Sequence, residues 1–339
     1  MADTEVIICA NRQCRVAGDR KCLEGYEELG QCPYYGRELE AGEEEGSSHE
    51  EDAEATFDGI RLPNALALEA PGANRILTIL PSRMIGVIGA YDSGKTSIIA
   101  GLYDLFQTGP VAGSLFAGSS TLHGLELICH DARVASNRDE AHSERTKRGE
   151  VRFYHVDVRH GGELRSILIA DRSGEEYEEV ADLAANASAM FELRRADVIT
   201  ILVDGRRLAS LVERADTMGA IPLILQGMME NGAFARRPNI AIVLTKDDVV
   251  QESVRKDRVM QDFQAIIDGV KNSFGSSLGE IESFVTCASP KNAAAERGRG
   301  LAALLAFWMK PNAEPQGIRL QFSSGRVFDR LAVEGTDFD

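Results

Sequence analysis

One octapeptide constrains this chain more than any other feature. Gly89-Ala90-Tyr91-Asp92-Ser93-Gly94-Lys95-Thr96 fits the pattern GxxxxGK[ST] at every fixed position. The apolar run Met84-Ile85-Gly86-Val87-Ile88 leads in, and Ser97-Ile98-Ile99-Ala100-Gly101-Leu102 leads out as an amphipathic helix. Strand, loop and helix in that order form the context in which this spacing builds a phosphate cradle. Glycine lets the backbone curl into an anion nest, whose N–H groups meet phosphate oxygens at the helix N-terminus. Gly89, Tyr91, Asp92, Ser93, Gly94 and Ser97 are expected to surround a nucleoside triphosphate. Lys95 would neutralise its β/γ-phosphates, and the Thr96 hydroxyl would ligate Mg²⁺.

The base is specified further along. Asn239-Ile240-Ala241-Ile242-Val243-Leu244 is almost wholly apolar, as a parallel strand buried on both faces should be. It ends in Thr245-Lys246-Asp247-Asp248, an [NT]KxD pattern in which the last carboxylate accepts from guanine N1–H and N2–H₂. Adenine offers no such donor pair, so Asp248 rejects it by leaving a buried charge unpaired. Between the two motifs, Leu164–Ala170 reads as a strand running into Asp171-Arg172-Ser173-Gly174, a DxxG pattern. Asp171 is expected beside Mg²⁺, and the Gly174 amide beside the γ-phosphate. Cys287-Ala288-Ser289 follows another apolar run in the manner of a short guanine loop, with Cys287 where Ser is usual.

In order and spacing these motifs resemble the TRAFAC class of P-loop GTPases, over roughly residues 80 to 310. The resemblance implies a switch threonine that coordinates Mg²⁺ and senses the γ-phosphate. Thr146 fits because it precedes Val151–Val158, which alternates with period two, and a Gly161-Gly162 turn that reads as a hairpin. Thr121 is the rival. Glu175 stands where such proteins carry the Gln that orients the attacking water, so Lys95, Thr146 and Glu175 form the expected catalytic set. Tyr91 replaces a Gly and would obstruct an external arginine finger. Asp92 sits where potassium-dependent members carry Asn. Slow intrinsic turnover follows, with Arg145 and Arg148 as cis candidates.

Four of the six cysteines, Cys9, Cys14, Cys22 and Cys32, crowd into the first 32 residues. So few large apolar residues accompany them that the segment cannot build a core unaided, and four thiolates suit structural Zn²⁺. Reduced thiols or a redox pair are the alternatives. No signal-peptide pattern precedes them, so the expected location is cytoplasmic. With the cysteines, a Leu62-Pro63 segment and a long insertion over 109–145, the chain resembles the bacterial double-GTPase family. That resemblance implies a protein partner, a second GTPase encoded nearby, in a regulatory or conflict system.

Net charge of −16 and no basic stripe argue against nucleic acid, and no apolar run is long enough to span a bilayer. Residues 38–54 hold nine carboxylates and no Lys or Arg. The expected organisation is a cysteine module over 1–40, an acidic linker over 41–57, a GTPase domain over 58–312 and a tail over 313–339. Alternating strands and helices predict an α/β, doubly wound, mostly parallel sheet. The reading is a Mg²⁺-dependent GTP/GDP switch; a non-hydrolysing GTP-binding scaffold is the main rival, and an ATP-using protein a distant one. Activation by a nucleotide-dependent homodimer, by potassium or by a separate protein stays open.

Overall fold

The apolar runs become the strands of one sheet. In the computed structural model, which describes residues 28–32, 35, 65–132, 149–290 and 296–312, the described strands are β1 (Ser82–Ile88), β2 (Ser114–Gly118), β3 (Val151–His160), β4 (Glu163–Arg172), β5 (Val198–Asp204), β6 (Asn239–Thr245) and β7 (Ile281–Val285). Their order is β2-β3-β4-β1-β5-β6-β7. β4, β1, β5, β6 and β7 pair in parallel, while β2 and β3 add an antiparallel edge. Every residue of β5 and β6 is buried, as continuous apolar runs require of strands covered on both faces.

Ten helices cover the faces among the described residues: α1 (Ala70–Ile79), α2 (Lys95–Thr108), α3 (Leu122–Ala132), α4 (Gly174–Asp182), α5 (Phe191–Arg195), α6 (Gly205–Ala209), α7 (Arg214–Glu230), α8 (Asp247–Glu252), α9 (Lys256–Phe274) and α10 (Leu301–Trp308). One core packs α2, α3 and α10 on the sheet through Ile98, Leu125, Leu304 and Trp308. Trp308 is buried to the point that its ring N–H must find a partner, and it donates to Thr200 Oγ1 at 2.9 Å. The other core packs α4, α7 and α9 through Tyr177, Leu225 and Phe263.

The hairpin read from Gly161-Gly162 is present, with both glycines at positive φ (59° and 90°) between β3 and β4. Two helices expected to be continuous are broken. The Ala181–Leu193 stretch divides because Arg172 and Asn231 take the carbonyls of Ala189 and Ala184, leaving a 3₁₀ segment over Ala184–Ala189. The Leu208–Met229 stretch divides at Ser210, whose hydroxyl accepts from the amides of Val212 and Glu213 and restarts the chain as α7. The 109–145 insertion contributes β2 and α3; residues 133–148 lie outside the described set, as do Leu62, Pro63 and the cysteine module apart from residues 28–32 and 35.

A buried Ser-His-Asp grouping on β3 and β4 is structural. His155 Nδ1 accepts the Ser120 amide at 2.9 Å, so Nε2 carries the proton and faces Ser166 Oγ (2.6 Å) and Asp157 (3.0 Å). A protonated Nε2 has no lone pair to take the Ser166 proton. Burial pushes the His155 pKa down, which keeps the ring neutral.

Candidate functional site

The carboxyl ends of β1, β4, β5 and β6 bring most of the sequence-selected residues to one edge of the sheet. Between β1 and α2 the chain turns through Asp92 (φ 59°) and Gly94 (φ 95°). Gly94 is the N-cap of α2, and its left-handed conformation is costly for any residue with a Cβ. That turn aims the first amides of α2 into the loop, where an anion would gain both their hydrogen bonds and the helix dipole.

Lys95 is buried across the loop, its Nζ donating to the carbonyls of Gly89 (2.9 Å) and Ala90 (3.0 Å). Burial lowers its pKa to about 8, against the opposing pull of Asp171 and Glu178. The Tyr177 ring lies beneath it, 6.0 Å from centroid to Nζ. Thr96 Oγ1 donates to Asp171 Oδ2 at 2.9 Å, joining the P-loop to the DxxG strand. A hydroxyl and a carboxylate converging at this distance make a hard-oxygen donor set of the kind that would suit Mg²⁺.

Gly174 begins α4 directly against the loop. A Cβ there would lie 2.6 Å from the Ala90 carbonyl carbon and from Tyr91 Cα, so only glycine permits the approach. Glu175 and Glu176 follow in the first turn, where acidic side chains suit the helix N-terminus.

The TKxD segment locks onto the same loop. Thr245 Oγ1 donates to Ser93 O at 2.8 Å. Lys246, at φ 56°, reaches Asp92 Oδ2 (2.8 Å) and Asp204 Oδ2 (3.0 Å). Burial alone would raise the Asp92 pKa; the Lys246 hydrogen bond and the charges of Lys246, Arg206 and Arg207 outweigh it and hold Asp92 ionised. Asp92 thus faces two cations of the chain itself, Lys246 and, at 3.4 Å, Arg206. Asp248 is buried at a recess it shares with Gly94, Ser97, Thr245, Lys246, Cys287 and Ala288. The Cys287 thiol is pushed up to about 11 by burial and by the Asp248 carboxylate, with which it hydrogen-bonds. The residues expected to read a base thus come together from two separate loops.

Thr121, the rival switch threonine, is fully buried, with its hydroxyl accepting from His155 N (2.9 Å) and facing His155 O (3.3 Å). Thr146, Arg145 and Arg148 lie outside the described residues, as do Cys9, Cys14 and Cys22. Cys32 is buried with a free thiol, and no group of three or more potential metal ligands occurs among the described residues.

Two clusters at the site escaped the sequence reading. Arg207 donates to Tyr91 O (2.9 Å) and to Glu178 (3.1 Å), and Glu178 accepts the Tyr91 amide at 3.4 Å. Only the doubled arginine after the β5 aspartate, Asp204-Gly205-Arg206-Arg207, hinted at it. Arg172 is buried with Glu192 (2.7 and 2.9 Å) and Glu176 (2.6 Å), and Glu176 also accepts the Gly149 amide at 3.1 Å. Burial would depress the guanidinium; the two carboxylates outweigh it and raise its pKa. Arg172→Met would strand the Glu192 charge in the interior and is expected to cost about 3–5 kcal/mol in urea denaturation, most of it recovered in Arg172→Met/Glu192→Met. A loss under about 1 kcal/mol would mean that the cluster stabilises nothing.

No helix among the described residues is long and apolar enough to cross a membrane. No curated protein matches the chain. A family model described as Double-GTPase 2 matches residues 83–309, more than half of the chain, from β1 to just past α10.

Proposed function

The chain belongs to the Double-GTPase 2 family, and from that premise we propose that it is a Mg²⁺-dependent GTP-binding and GTP-hydrolysing switch with slow intrinsic turnover. The observation that carries this reading is the joining of three motifs around one loop: Thr96 to Asp171, Thr245 to Ser93, and Gly174 against Ala90 and Tyr91. The amides of residues 92–96 would cradle the phosphates, with Lys95 neutralising the β/γ-oxygens in a dry setting where its charge is little screened. Thr96 and Asp171, with Thr146 from the switch segment, would hold Mg²⁺. Bound there, Mg²⁺ neutralises charge developing on the phosphates. Asp248 would accept from guanine, with the Ala288 amide beside the base and Cys287 packed against the carboxylate. Glu175 would orient the attacking water, and Gly174 would report the γ-phosphate to α4.

Loss of the γ-phosphate would then release the Gly174 contact and the Thr146 segment, changing the surface a partner meets. That partner is read as a protein, a second GTPase encoded nearby in a bacterial regulatory or conflict system, and the location as cytoplasmic. A nucleotide-dependent homodimer is the other route to activation. Glu175 itself favours a second reading, a GTP-binding scaffold without turnover, because it adds negative charge beside a polyanion. Single-turnover GTP hydrolysis with and without Mg²⁺ separates the two. A Mg²⁺-dependent phosphate release that falls at least about tenfold in Glu175→Ala fits the switch; bound GTP that stays intact fits the scaffold.

At the amino terminus we read Cys9, Cys14, Cys22 and Cys32 as one structural Zn²⁺ site. Protein prepared under reducing conditions without chelator is expected to carry about one zinc per chain, lost in Cys22→Ser. Metal analysis finding no zinc in the wild type would refute the site. GTP affinity should survive Cys22→Ser if, as we read the sequence, an acidic linker over 41–57 separates the two modules.

A further inference from the structure

A second recess, of about 670 Å³, opens on the face of the sheet opposite α2 and α10. Its floor is Ile88, Gly89 and Ala90, the strand end and start of the P-loop. Its walls are α4 and α7, through apolar groups such as Ala181, Ala220 and Ile224. Five carboxylates line it: Asp204, buried and paired with Lys246, and four around the rim, Glu178, Asp182, Glu213 and Asp216, against Arg207, which spans Glu178 and Tyr91 O and comes within 3.8 Å of Glu213.

Large apolar side chains stand in solvent on the recess and on the chain next to it. Leu223 lines the recess and is 54 % exposed; Leu183 follows Asp182 and is 58 % exposed; Leu211 and Val212 precede Glu213 and are 70 % and 83 % exposed. Single exposed leucines are ordinary, but an exposed Leu223 on an apolar recess, with three more exposed apolar residues within two positions of its lining residues, points to a contact surface.

We propose that this recess between α4 and α7 is the docking groove for a basic amphipathic helix of a partner protein. The apolar walls and exposed leucines would take the helix's apolar face, and the rim carboxylates its flanking Lys and Arg side chains. Charge selects the occupant. An isologous contact with a second copy would oppose the four carboxylates to themselves, in a chain of net charge −16. Anionic lipid and nucleic acid are repelled for the same reason. Glu178, on the rim, also accepts the Tyr91 amide, so a docked helix lies one side chain from the P-loop. The proposal rests on surface chemistry and stands whether or not GTP is hydrolysed.

The test uses the full chain and a fluorescent Leu/Lys amphipathic helix about five turns long, with a Leu/Glu twin of the same apolar face. A benzophenone on the apolar face maps the contact. The expected result is saturable one-to-one binding of the Leu/Lys peptide only, with cross-links on α4 and α7. Affinity should fall at least about tenfold in Leu223→Asp and in Glu213→Lys/Asp216→Lys. These side chains are solvent-facing or rim positions, and circular dichroism verifies the fold of each variant. Unchanged affinity in the variants, or cross-links confined to the acidic 38–54 segment, would overturn the proposal. So would a different occupant: a dimer dissolved by Leu223→Asp, or a photoreactive residue at 223 cross-linking to residues 313–339.

Discussion

Lys95→Ala is expected to abolish GTP binding while leaving the fold in place. The wild-type ammonium is buried against two loop carbonyls with its pKa drawn down to about 8. Its Nζ donates to two backbone carbonyls, so its burial prepares a charge for an incoming anion. Removing it deletes a charge-assisted contact worth about 1.5–3 kcal/mol to each phosphate it touches, an expected loss of at least ~100-fold in affinity. The cost to folding is smaller, because the deletion leaves two carbonyls short of a hydrogen bond rather than a buried charge without a partner. Calorimetry should find no GTP binding and circular dichroism a native spectrum. Binding within about threefold of wild type would remove the phosphate site from this loop.

Asp248→Asn is expected to weaken GTP on the order of 100-fold and to move preference toward xanthosine triphosphate, whose C2 carbonyl suits an amide donor. Asp248 is buried at the end of β6 and touches the Cys287 thiol, so its orientation is set before any base arrives. A carboxylate fixed in this way discriminates because the wrong base leaves it unpaired and desolvated. Asparagine keeps the volume, reverses half the hydrogen-bonding polarity and removes the charge. Unchanged selectivity in a competition assay would mean that guanine is read elsewhere.

How these residues meet was partly visible in the one-dimensional pattern. β1, β5 and β6 are continuous apolar runs with loops at their ends, and such runs have one outcome, a central parallel strand with its motif at the carboxyl edge. The Gly161-Gly162 hairpin was equally plain, since two consecutive positive-φ positions admit little else. β2 was hidden. Ser114-Leu115-Phe116-Ala117-Gly118 is short, half exposed and paired on one side only, so it lacks the apolar continuity that marked the others.

The two helix breaks were hidden for a different reason. Ala184–Ala189 has good local helix formers, yet the Arg172 guanidinium and the Asn231 amide claim its carbonyls from residues distant in sequence. The same holds for Arg207 and Glu178, 29 residues apart, whose meeting on Tyr91 depends on α4 folding back onto the P-loop. The sequence offers arginines beside Thr146; among the described residues, those that touch the P-loop are Arg206 and Arg207, from α6 after β5. Motifs specify what a short segment can bind, whereas ion pairs between segments depend on how the layers pack.

The central claim is that this loop and the β6 end together select GTP. The direct measurement is calorimetric titration of the full chain with GTP and with ATP, each in the presence of Mg²⁺. One GTP per chain with ATP at least ~100-fold weaker, a gap of about 2.7 kcal/mol, is the predicted result. Equal affinity for the two nucleotides, or tighter binding of ATP, would contradict it.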